Sequence, residues 1–411
     1  MGKVVAMKPP ARKRRRSSRT ALVLGGGGFT GGVYQIGALR ALDLLSSNRS
    51  VNQFDIYVGT SAGSLIAALA ANGVTPEEMM RTVNDQVPYS LPPLDREMLL
   101  TFNKSEFALK ALKLPLHLVS VARSVAGSLG SLSAVDLVLA LGDALPSGIY
   151  TGEGVEDYLR RALSAEGRTD DFRLLDRELY LAATDLDTCE RIVLGAEGWD
   201  DIPISAAVRA STALPMIYSP YRVRDRELVD GGIVSTTNLD IAVEAGAKLI
   251  VVVNPLVPYV NDFTKEIPTL FGTRTRRVSD MGFPKIGYQT FKLLAYQRLH
   301  EMAESWKERY PGVDIVLIEP ESDDEMMFQT NILNYASRLD VARHGFQSVT
   351  VKLASDYEDL REVAQRHGIE ISATRVRKVV RHFEAEKEKS GAWRRILEQT
   401  TGALLRQSAA D

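Results

Sequence analysis

The pentapeptide Gly59-Thr60-Ser61-Ala62-Gly63 stands between the apolar run FDIYV (54–58) and the alanine-rich run LIAALAA (65–71). The first run reads as a strand and the second as a helix. Only six residues separate them, so the chain must turn sharply, and the flanking glycines tolerate the close backbone approach that this forces. The same punctuation occurs upstream. ALVL (21–24) is a short apolar strand ending at four glycines, Gly25 to Gly28, and a helix is predicted from about Gly32 to Ser46, with Ile36, Leu39, Leu42 and Leu45 three to four apart. Two strand–turn–helix units in succession point to an α/β fold with parallel strands.

Further elements fit that frame. Thr75, Pro76 and Glu78 form a capping box with proline at the first helical position. Helices are expected over 133–144, 152–164 and 203–211. ELYLAAT (178–184) and ERIVLG (190–195) read as paired strands across DLDTC, and short strands near Tyr218–Val223 and Glu227–Val229 lead into Asp230-Gly231-Gly232. A helix ends near Ala245, and KLIVVVN (248–254) is a buried strand. After Pro255, residues 285–310 and 355–405 read as charged helices, separated by a strand at VDIVLI (313–318). The expected organisation is a basic arm over 1–19, disordered by its own repulsion, a core over 20–255, and a mainly helical region over 256–411 whose first part, to about 355, packs on the core.

Composition narrows the chemistry. A formal net charge of −2 provides no global field for nucleic acid, so none is expected as a partner. Cys189 is the single cysteine, which excludes an internal disulfide and every multi-cysteine zinc or redox motif. The basic start has no apolar run behind it, unlike a secretory signal, and no stretch of about 18 apolar residues exists for a membrane span. The expectation is a soluble, cytoplasmic chain with any membrane contact peripheral. Residues 104–127, which mix Lys104, Lys110, Lys113 and Arg123 with Phe107, Leu112, Leu116 and Val119, could make that contact, while the same amphipathic pattern also suits packing on the sheet.

Gly59-x-Ser61-x-Gly63 between strand and helix reads as a nucleophile elbow, which would lift the serine to the mouth of a site at a helix N-terminus; Gly, Ser and Ala also make ordinary tight turns. A serine hydroxyl needs a base. None of the five histidines (117, 300, 344, 367 and 382) lies in a glycine-rich turn after a strand. Asp230 does end a strand, before two glycines, and is the best candidate; a plain Asp-Gly turn would leave the same trace. Gly25–Gly28 lacks the Gly-Lys-Ser/Thr of a P-loop, and no acidic residue closes a dinucleotide fingerprint. The loop's bare N–H groups could instead form an oxyanion hole.

Taken together, GGGGFTGGVYQIGALRAL (25–42), GTSAG (59–63), ASTALP (210–215) and DGG (230–232) resemble the patatin-like phospholipase family in order and spacing, well over 20–255 and more loosely to about 355. The resemblance implies a three-layer α/β/α sandwich with a mainly parallel sheet and a C-terminal helical extension. It implies a Ser–Asp dyad without histidine: Ser61 the nucleophile, Asp230 the base, Gly26, Gly27 and Gly28 the oxyanion loop, and Gly59 and Gly63 the elbow. It also implies lipid acyl esters as substrates, with no metal or organic cofactor. One position departs: Thr30 stands where the family carries Arg or Lys, so the loop has no positive charge to offer a phosphate. Acyl transfer to another alcohol would use the same residues, and a non-catalytic lipid- or partner-binding module would keep only the scaffold.

Overall fold

The computed structural model describes residues 18–86, 91–112, 145–264, 266–269, 272–330, 332–381, 383 and 385. Most of the basic arm, the helix expected at 133–144 and residues 113–127 of the amphipathic stretch lie outside them. In chain order the strands are β1 (Thr20–Leu24), β2 (Ile56–Thr60), β3 (Gly148–Tyr150), β4 (Glu178–Asp185), β5 (Arg191–Leu194), β6 (Met216–Tyr218), β7 (Tyr221–Val223), β8 (Arg226–Asp230), β9 (Leu249–Val253), β10 (Glu266–Thr269), β11 (Gly272–Thr275) and β12 (Asp314–Ile318). The main sheet runs β12-β9-β1-β2-β4-β8-β7, with β5 also on β4. β12, β9, β1, β2 and β4 are parallel, while β5, β8 and β7 are antiparallel additions, so the sheet is mixed.

The central parallel strands β1, β2 and β9 are buried on both faces, as helical crossovers require. Leu22, Leu24, Tyr57, Val251 and Val253 face one core, and Ala21, Val23, Ile56, Val58, Ile250 and Val252 face the other. The first core packs under α1 (Gly28–Leu45), α2 (Ala62–Ala71) and α3 (Pro76–Val83). The second packs under the helix Leu239–Glu244 and under Leu299 and Trp306. The Thr75 capping box forms as expected, with the Glu78 N–H on Thr75 Oγ1 and the Thr75 N–H on Glu78 Oε2.

Two local differences from the sequence reading have physical causes. α1 starts at Gly28 rather than Gly32, because the glycines after the first strand already wind into its first turn. The segment read as one strand at 218–223 is two, β6 and β7, separated at Ser219-Pro220, where proline cannot extend a ladder. β12 lies beyond residue 255 yet pairs with β9 in register from Asp314↔Leu249 to Ile318↔Val253. The helix Arg338–Ser355 crosses α1 closely: a Cβ on Gly37 would come 2.3 Å from Ala342 O, and one on Gly345 would come 2.5 Å from Tyr34 O. Among the described residues, no helix is long and apolar enough to cross a membrane.

Candidate active site

Strand register brings the two expected functional side chains together. β2 pairs along one edge of β4 and stops with Thr60 opposite Ala182. β8 enters the same edge from the other direction and stops with Asp230 opposite Ala183, the next residue. Where β2 ends, the chain turns into α2 and leaves the lane to β8. Ser61 and Asp230, 169 residues apart in sequence, therefore meet, and Ser61 Oγ donates to Asp230 Oδ2 at 2.5 Å.

The sharp turn is strained at the serine. Ser61 adopts φ 54° and ψ −130°, a left-handed region that a residue with a side chain enters at a cost of roughly 1–3 kcal/mol. A Cβ on Gly59 would come 2.5 Å from Ser64 Cα, and one on Gly63 would come 2.2 Å from Leu24 O, so neither position admits another residue without backbone movement. Three further polar residues hold the turn. Ser211 Oγ accepts the Ser61 N–H at 3.0 Å and donates to Ala182 O at 2.6 Å. Ser64 Oγ donates to Ser61 O at 2.5 Å. Asn238, itself left-handed and fully buried, donates to Thr60 Oγ1 at 2.9 Å. Sequence reasoning gave Ser211 and Asn238 no role. Ser211 sits within ASTALP, the one signal that could have marked it.

Asp230 is 2% exposed and Ser61 8%. Burial raises the Asp230 carboxyl from 3.8 to about 6, against the opposing pull of hydrogen bonds from Ser61 and from the Gly232 N–H, which reaches Oδ1 at 2.7 Å. A carboxylate so placed is a better proton acceptor near neutral pH than a free aspartate. The described histidines are engaged elsewhere: His300 with Glu319, His344 with Asp324, and His367 with Asp314 and Ser18. His117 and His382 lie outside the described residues.

The glycine loop lies against the nucleophile, since a Cβ on Gly26 would sit 3.3 Å from Ser61 Cβ. Gly26 departs from the sequence expectation of an oxyanion donor. Its N–H donates to Thr236 O at 2.9 Å, tying the loop to the segment after Asp230, and it is not free for a substrate. The N–H groups of Gly27 and Gly28 meet no acceptor among the described residues. Gly28 has φ +63°, and a Cβ there would press on Ile332 at 2.8 Å. Thr30 is buried, its N–H on Ile332 O at 3.3 Å.

From Ser61 a cavity of about 900 Å³, its mouth included, extends between α1, α2 and α3. Its walls are apolar: Val33, Ile36, Leu65, Ile66, Leu69, Met79 and Val83, with Leu91, Leu94 and Leu99 beyond. Such a shape suits a hydrocarbon chain whose reactive end lies at the serine.

A probable lipid hydrolase of Invertebrate iridescent virus 6 is 22% identical over 225 residues, which span 53% of this chain and 61% of the viral protein. The uncharacterized protein YqhO of Bacillus subtilis (strain 168) is 26% identical over 218 residues, 50% of this chain and 63% of that protein. The chain thus spans less than two thirds of either relative. Among solved structures, VipD from Legionella pneumophila superposes with a TM-score of 0.37 at 14% identity, over 82% of this chain and 67% of that one. The family assignment rests on neither low-identity relative nor on that superposition. It rests on the match of residues 22–243, which contain the glycine loop, the elbow serine and the aspartate that meets it, to the family described as patatin-like phospholipase, and the chain belongs to that family.

Proposed function

We propose that the chain is a serine acyl hydrolase that cleaves fatty acyl esters of lipids, with Ser61 as nucleophile and Asp230 as its base. The observation that carries the reading is the 2.5 Å bond from Ser61 Oγ to a buried carboxylate at the head of an apolar cavity. Asp230 takes the Ser61 proton as Oγ bonds to the ester carbonyl carbon, and the carbonyl π electrons move to its oxygen. Gly27 and Gly28 are the loop amides with free donors for that oxyanion. Collapse of the intermediate expels the alcohol, which takes the proton back from Asp230. The acyl group stays on Ser61 until water, deprotonated by Asp230, repeats the sequence and releases the fatty acid. Thr30 brings no charge, so headgroup selection falls to groups outside the loop.

The substrate reaches the site from a lipid surface through peripheral contact. Phe102, Leu109, Leu112, Ile149 and Met216 support this reading: all are exposed, and Leu99, Leu214 and Tyr218, neighbours in the same segments, line the catalytic cavity. A panel of lipid esters, with products identified by mass spectrometry, tests the activity. Fatty acid release that disappears in Ser61→Ala supports the proposal, and no release from any ester in the panel refutes it. Paired Leu109→Asp and Leu112→Asp substitutions are expected to lower turnover on vesicles and spare p-nitrophenyl butyrate. Equal loss on both substrates would refute the surface role.

A further inference from the structure

A second apolar cavity lies at the far end of α1. Together with its open mouth it spans about 610 Å³, and its walls include Leu42 and Leu45 of α1, Phe54 and Val251 of the sheet side, and Leu360, Val363 and Ala364 of the C-terminal helices. α1 rises about 25 Å between Gly28 at the catalytic loop and Leu45 at this cavity, so the two spaces are separate. The mouth is polar. Ser46, Arg49 and Ser50 line the apolar cavity and also a shallow polar trough completed by Asp43, Ser47, Asn48 and Gln53.

The charges at this mouth are unevenly engaged. Asp43 accepts from the Val51 N–H and from Ser50 Oγ, and Asp55 accepts from the Thr20 N–H, Thr20 Oγ1 and Arg49 Nη2. Arg49 commits Nε and Nη2 to Gln53 O and Asp55 and stands 5.9 Å over the Phe54 ring, while its Nη1 has no acceptor among the described residues. Arg375 reaches the same rim through Nη1 on Ser46 O at 3.4 Å. The acids are held by donors of the protein, one of them Arg49 itself, and the Arg49 Nη1 group remains for a ligand.

We propose that this cavity binds a single-chain fatty acid, with its hydrocarbon tail among Val363, Ala364 and Leu360 and its carboxylate on Arg49 at the mouth. An apolar cavity with the open Nη1 of Arg49 and the Ser46 hydroxyl at its rim matches an amphiphile with one chain and one small anionic head. The ligand class follows from the cavity's own chemistry and does not depend on the catalytic reading.

The test is binding of cis-parinaric acid, read by its fluorescence, to the full chain carrying Ser61→Ala, which cannot hydrolyse the methyl ester used as the head-group control. That chain is expected to show two classes of site. Leu65→Trp, which fills the catalytic cavity, should remove one class. Ala364→Leu, which fills the second cavity, should remove the other and should melt no lower than the parent. Arg49→Gln should weaken only that second class, about tenfold, as loss of a charge-assisted pair implies, and the methyl ester should bind it as weakly as the acid binds the Arg49→Gln chain. Isotherms unchanged by both Ala364→Leu and Arg49→Gln would overturn the site. Tight ester binding, or a response to Ala364→Leu without one to Arg49→Gln, would overturn the role of the carboxylate.

Discussion

Replacing Asp230 by asparagine should abolish catalysis and stabilise the protein, with the two effects governed by the same pH window. The carboxyl is buried, and its shift from 3.8 to about 6 corresponds to about 3 kcal/mol of preference for the neutral form. The folded value is raised, so between pH about 4 and about 6 the folded chain keeps a proton that the unfolded chain has lost. Stability therefore falls as pH rises through that window, and above it the full cost is in place. Asparagine is neutral throughout. Its side-chain oxygen can keep the bond from the Gly232 N–H, and its amide can face Ser61 Oγ. The Asp230→Asn chain should melt roughly 5 °C above the parent at pH 8 and close to it at pH 4. Over the same range, kcat/KM of the parent on p-nitrophenyl butyrate should fall about tenfold per pH unit below about 6, as the base becomes protonated. Thermal scans at four pH values and a pH–rate profile make the test. A melting difference that does not change with pH, or an asparagine chain that is less stable at pH 8, would refute the view that Asp230 is a base carrying a burial cost.

Four further outcomes are expected. Ser61→Ala should lose about 10³-fold or more in kcat, adding little to the loss in Asp230→Asn because the two act as a unit, whereas substituting each histidine should leave kcat within a few-fold. Ser211→Ala strands the Ser61 N–H and Ala182 O, so it should cost about 1–3 kcal/mol of stability and lower kcat up to about 100-fold with little change in KM, as steady-state kinetics beside a melting curve would read. Gly63→Ala drives a methyl group onto Leu24 O at 2.2 Å and should yield little folded protein, visible as loss of soluble expression. Leu65→Trp narrows the catalytic cavity, so the ratio of kcat/KM for long over short p-nitrophenyl esters should fall relative to the parent.

The elbow was legible because its chemistry is local. A strand, a small-residue turn and a helix each leave a signature within a few residues, and so did the Thr75 cap and the β4–β5 pair. Asp230 was legible as a strand end followed by two glycines, but its proximity to Ser61 was not. That proximity depends on β8 taking the lane that β2 vacates on β4, a long-range register that no short window encodes. Ser211 and Asn238 were illegible for the opposite reason, since short polar residues are common in turns and only tertiary contacts single these two out. The start of α1 was misplaced because glycine is a poor helix former, and the conformation of its first turn is set by packing against Pro255 and Ile332. The return of β12 to the sheet after the helices of 283–309 could not be read, because a parallel partner can lie at any distance along the chain.

The close crossing of α1 with the helix Arg338–Ser355 makes α1 a push-rod. One end of the rod is the glycine loop at Gly28, and its middle is pinned where Gly37 and Gly345 let two backbones touch. Even one methyl group at Gly345 must displace the Tyr34 backbone, which lies about two turns from Gly28, and a helix passes such a displacement along its axis to the glycine loop beside the serine. An inactivating allele in the 338–355 helix would map to the opposite half of the sequence from the nucleophile and touch no atom of the catalytic cavity. Its lesion would nonetheless be a withdrawn loop, and a genetic screen for loss of activity should recover small-to-large changes at this crossing alongside changes at the serine itself.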